Sequence, residues 1–113
     1  MPDANGADEV VVDVAVTGAM DDAVALAFAR TLAESMGATL WREGPRPDGR
    51  VVATGLVRTA SARARVLHIV ITGGVPRAAW RDPRLRCDLE LADPRAEVAL
   101  ALGAHLASWG QEW

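Results

Sequence analysis

From Arg65 to Thr72 the chain reads RVLHIVIT, with Leu67, Ile69 and Ile71 at one parity and Val66, His68, Val70 and Thr72 at the other. Successive strand side chains point to opposite faces, so a strand built on this run is apolar on both sides. It must be central in a sheet or lie beneath a covering second subunit. The rest of the chain is constrained to supply its neighbours.

Val51 to Thr59 is a second strand-like run, and the link Ala60 to Ala64 is short enough to join it to Arg65 to Thr72 as an antiparallel hairpin. Val10 to Thr17 alternates Val10, Val12, Val14 and Val16 against Val11, Asp13, Ala15 and Thr17, the pattern of a half-covered strand. Leu85 to Leu91 alternates too, with Leu85, Cys87, Leu89 and Leu91 inward and Arg86, Asp88 and Glu90 outward. These are the four expected strands.

Two helices complete the outline. Ala23 to Met36 carries Val24, Phe28, Leu32 and Met36 on one side, with Asp21 or Asp22 as N-cap and Gly37 closing the end. Arg95 to Trp109 follows Asp93-Pro94, a capping acid before a proline suited to the first helical turn. Ala38 to Trp41 is short and apolar, and Arg42 to Arg50 (REGPRPDGR) reads as a loop or the mouth of a strand pair. Pro76 to Asp82 suggests a helical turn carrying Trp80, and residues 1 to 8 suggest a disordered tail before a single domain from 9 to 113.

The expected fold is therefore α+β: a four-stranded, mainly antiparallel sheet in the order β-α-β-β-β-α, with both helices on one face and the other face open. In topology alone this is similar to double-stranded-RNA-binding-like or ferredoxin-like sandwiches, and topology does not specify function. Apolar runs such as Val66 to Ile71 fall well short of the roughly 20 residues that span a bilayer, and no basic-then-apolar leader is read at the start. A single Cys87 among 113 residues leaves no internal disulfide and no cysteine-rich zinc site. A cytoplasmic protein without membrane contact is the expectation.

Charge is the most uneven property of the chain. Net charge is −3, yet residues 42 to 86 hold ten Arg against three acids, a net of +7 between two acidic flanks. All twelve basic residues are Arg, for which compositional bias is the plainer account and bidentate anion recognition the functional one. If Arg42, Arg46, Arg50, Arg58, Arg63 and Arg65 converge, they form a surface for an acidic protein or an anionic small molecule. Otherwise they balance acids of the helices and solubilise the hairpin. With an acidic whole chain, no Tyr and one Phe, nucleic-acid binding is disfavoured.

Trp41, Trp80, Trp109 and Trp113 lie at segment ends, where indoles plug a core, form an interface, or line a pocket; Trp41 and Trp80 are taken as candidate binding residues. His68 in a strand and His105 in the last helix are the candidate proton carriers, without a recognisable triad or metal motif around either. No cofactor or metal is implied. The first functional expectation is a non-enzymatic interaction module, possible as a homodimer, using the Arg-rich hairpin, His68 and the open sheet face. The alternative is a small α+β-sandwich dimeric enzyme or carrier for an apolar molecule, with His68 or His105 as acid or base.

Overall fold

A computed structural model describes residues 9–58, 64–73 and 85–109 of the chain. Seven elements follow one another: β1 (Glu9–Val16), α1 (Asp22–Ser35), β2 (Thr39–Pro45), β3 (Val51–Arg58), β4 (Ala64–Gly73), β5 (Leu85–Leu91) and α2 (Ala96–Trp109). The strands form one sheet in the order β2-β3-β4-β1-β5. β2, β3 and β4 are successively antiparallel, whereas β1 runs parallel to both β4 and β5. The expected tail at residues 1–8 and the expected turn at Pro76 to Asp82 lie outside the described residues.

The α+β class stands, but the sheet has five strands instead of four and is mixed instead of mainly antiparallel. The added strand is β2, whose register shifts between Leu40 and Arg42 in a β-bulge around Trp41. An extra residue breaks the two-residue alternation, and the solvent-exposed edge position removes the need for apolar residues. No periodic signal therefore marked it. Parallel pairing of β1 with β4 follows from the long excursion through α1, β2 and β3 that separates them; only such a crossover returns a chain in the same direction.

The hairpin of β3 and β4 pairs Thr54 with His68 and Val52 with Val70. β4 is flanked by β3 and β1, and Leu67, Ile69 and Ile71 are fully buried with Val70 at 1% exposure. The doubly apolar run is central, as its composition demands. β1 is also central, and Asp13 on its mixed side is as inaccessible as Val10, Val12 and Val14.

Both helices cover one face. Val10, Val12, Val14, Val51, Ala53, Leu67, Ile69 and Ile71 pack with Phe28 and Leu32 of α1 and Ala99 and Leu106 of α2 in one apolar cluster. The Asp21 side chain accepts the Ala23 N–H at 2.8 Å and so caps α1. Gly103 of α2 lies so close to Ser35 of α1 that a Cβ there would overlap the Ser35 side chain. No helix among the described residues is long and apolar enough to cross a membrane.

Candidate functional site

The face that carries no helix among the described residues has a different chemistry. Parity and register place Arg42, Thr54, His68, Val11 and Arg86 in one row across all five strands, with Gly44, Val52, Val70, Asp13 and Asp88 in the next. Its centre is closed to solvent: Val11 and Asp13 are at 0% exposure, Val70 at 1% and Thr72 at 3%. Arg86 reaches across from β5 to place Nη2 3.0 Å from Asp13 Oδ2, and its Nε donates to Asp88 Oδ1 at 3.0 Å. A charged pair with one fully buried partner depends on that geometry. The expected open face is thus accessible at its two rims, at Arg86 and Asp88 of β5 and at Arg42 of β2.

There a cleft of about 70 Å³ opens, bordered by Arg42, Gly44, Pro45, Arg46, Val52, Thr54 and Glu43. Its outer end is shaped by the turn between β2 and β3. Arg46 N–H donates to Arg50 O and Gly49 N–H to Arg46 O at 3.0 Å, with Pro47 and Asp48 between. Gly49 has φ 90°, a conformation that glycine adopts without a Cβ clash and that closes a hairpin of this length. The Asp48 carboxylate accepts the Arg50 N–H at 3.1 Å and also pairs with the Arg50 guanidinium. That backbone hydrogen bond, followed by the Arg50 side chain and the charges of Arg50 and Arg46, holds Asp48 below its ordinary pKa.

The acids beside the cleft are thus engaged. Glu43 pairs with Arg30 of α1, and the same bond raises the Arg30 pKa. Arg42 and Arg46 form no ion pair among the described residues, and both are exposed. Arg42, Arg46 and Thr54 thus border one small cavity.

Thr54 continues inward as a hydrogen-bonded chain. Its Oγ1 lies 3.2 Å from His68 Nδ1, and His68 Nε2 lies 2.8 Å from Glu9 Oε2. A neutral imidazole that donates from Nε2 to Glu9 presents Nδ1 as an acceptor for the Thr54 hydroxyl. Cross-strand polar pairing alone accounts for such a chain as sheet stabilisation; its end at the cleft gives it chemical potential as well.

The remaining expected residues disperse. Arg50 is held by Asp48. Arg58 is exposed on the same face but four residues beyond Thr54 along β3, about 13 Å at the usual strand rise. Arg65 takes the parity of Leu67 and is buried at 3% exposure. Arg63 and Trp80 lie outside the described residues, as does Trp113. Trp41 is 59% exposed and adjoins Arg42. His105 is exposed on α2, on the helical side of the sheet, and so does not join His68.

Thr54 and Glu9 are the site residues that sequence reasoning passed over. Once the β3 and β4 register is known, Thr54 faces His68 directly; before that, a threonine in a strand carries no signal. Cys87 of β5 is half-buried, and burial followed by the nearby Asp88 charge pushes its thiol pKa up, away from nucleophilic use. No protein-family model, curated protein or solved structure matches the chain.

Proposed function

We propose that the chain is a binding module that recognises an anionic group, a carboxylate or phosphate, in the cleft between Arg42, Arg46 and Thr54. The observation that carries this reading is the asymmetry of pairing: Glu43 and Asp48 are taken by Arg30 and Arg50, whereas Arg42 and Arg46 border the cavity without a partner among the described residues. Arginine forks hold planar anions with two parallel bonds, and the Thr54 hydroxyl adds a third polar contact. The contact surface is this corner of the helix-free face instead of the whole Arg-rich hairpin.

Homodimerisation through the helix-free face has less support, because Val11 and Val70 are already buried within one chain. Among the described residues, the large exposed apolar side chains Val24, Trp41 and Leu100 sit on three separate elements, and scattered apolar residues do not mark an interface.

Titration of isotope-labelled protein with inorganic phosphate and with a tricarboxylate tests the reading. Amide shifts should concentrate on residues 42 to 54, and Arg42→Gln or Arg46→Gln should each weaken binding about tenfold, the worth of one charge-assisted hydrogen bond. Absence of shifts, or equal binding by the double variant, removes the proposal.

A second reading is favoured by the chain from Glu9 through His68 to Thr54. In an enzyme acting on an anionic ester, His68 would take the proton of Thr54 or of a bound water, with Arg42 and Arg46 holding the substrate charge. Hydrolysis of nitrophenyl esters of dicarboxylic acids would then be lost in His68→Gln while the fold persists. Equal rates in wild type and variant would eliminate catalysis by this chain.

A further inference from the structure

The cleft lies at the rim of the sheet, and the rim offers more than charge. β2 is a terminal strand, so one side of its backbone has no neighbouring strand among the described residues. Unpaired N–H and C=O groups along such an edge form a template for an added strand. A second depression, broader and shallower than the cleft, is lined by Leu40, Trp41, Arg42 and Glu43 and shares the last two with it. Trp41, the most exposed large apolar side chain among the described residues at 59%, stands in this depression at the bulge of β2. Exposed tryptophan beside unpaired arginine is the composition of an interface anchor.

Resting on the anion-binding reading above, we infer that the outer edge of β2 takes up an extended acidic peptide as an added strand, its carboxylates on Arg42 and Arg46 and an apolar side chain against Trp41. Backbone hydrogen bonds to β2 supply register, and the alternation of a strand places every second side chain of the peptide on the arginine side. Charge selects this occupant over a second copy of the chain. Pairing two β2 edges about a two-fold axis would bring the unpaired Arg42 and Arg46 of both copies together, which is repulsive.

The test uses the full chain and a synthetic peptide of about ten residues alternating Glu and Val, long enough to pair along one strand. A matched peptide carries the same charges but is N-methylated at alternate backbone nitrogens. The acidic peptide should bind and slow amide exchange within residues 39 to 45. The N-methylated peptide should bind at least about tenfold more weakly, since it cannot make the ladder. Trp41→Ala, at an exposed position, should weaken the unmodified peptide while leaving inorganic phosphate binding unchanged.

Equal binding of the two peptides overturns strand addition and leaves the anion reading standing. Strand addition is likewise overturned, and the anion reading kept, if phosphate binds and neither peptide does. Failure of phosphate and both peptides overturns both proposals. Self-association with protection of the β2 amides in the absence of peptide assigns the edge to a second copy and overturns the inference.

Discussion

The two faces of the sheet bury their centres by different means. On the helical face, Val10, Val12, Val14, Leu67, Ile69 and Ile71 meet Phe28, Leu32, Ala99 and Leu106 in one apolar cluster, and the buried Arg65 shares that face. On the other, Val11 and Val70 are buried on the same face as Asp13, Thr72, His68 and Arg86, and ion pairs join Asp13 to Arg86 and Glu9 to His68. The first face gains stability from area and packing and tolerates no cavities. The second carries buried ion-paired groups, and at its β2 rim Arg42 and Arg46 are exposed.

The largest effect should come from breaking the helical face. Phe28→Ala removes a ring at 1% exposure and should lower unfolding free energy by about 4 kcal/mol in urea denaturation, from lost transfer energy and the cavity left behind. A loss below about 1 kcal/mol would mean that this face is not the main stabilising surface.

Next in size is the charge pair of the other face. Arg86→Ala removes the guanidinium paired with the Asp13 carboxylate, which is at 0% exposure, and should cost about 3 kcal/mol. The double variant Asp13→Val with Arg86→Met replaces both charges with apolar groups and should recover most of that loss. If the double variant is as unstable as the single one, the distinction between the faces fails.

A smaller change should have the opposite sign. Thr72 Oγ1 is buried without a hydrogen-bond partner among the described residues, so Thr72→Val should raise stability by about 1 kcal/mol, observable as a higher thermal midpoint. The smallest effect is chemical. Because burial raises the Cys87 thiol pKa, alkylation by iodoacetamide at pH 8 should be slower than that of the unfolded chain and should accelerate only at more alkaline pH. A rate equal to the unfolded thiol would show that β5 does not shield it.

Much of this architecture was legible beforehand because its signals are local. The β3 and β4 hairpin, the α1 cap at Asp21 and the central place of β4 each follow from contiguous patterns. β2 was not legible: its bulge breaks the alternation and its edge position leaves Arg42, Glu43 and Arg46 in place of apolar residues. The site was lost with it. Sequence left open whether six arginines form one surface or balance nearby acids; strand parity sends Arg42 and Arg65 to opposite faces, and Asp48 takes Arg50.

By itself, then, the sequence determined that a doubly apolar strand needs a central place or a covering second subunit, and that two amphipathic helices cover one face of the sheet. Side-chain period and hydrophobicity are properties of short segments and need no partner to be read. Only the tertiary structure decided that β1 lies parallel beside β4, and that Glu9, His68 and Thr54, 59 and 14 residues apart in successive pairs, form one chain ending at an arginine-flanked cleft. Such proximity depends on strand order and register, which are set by the summed packing of the whole sheet and not by any segment within it.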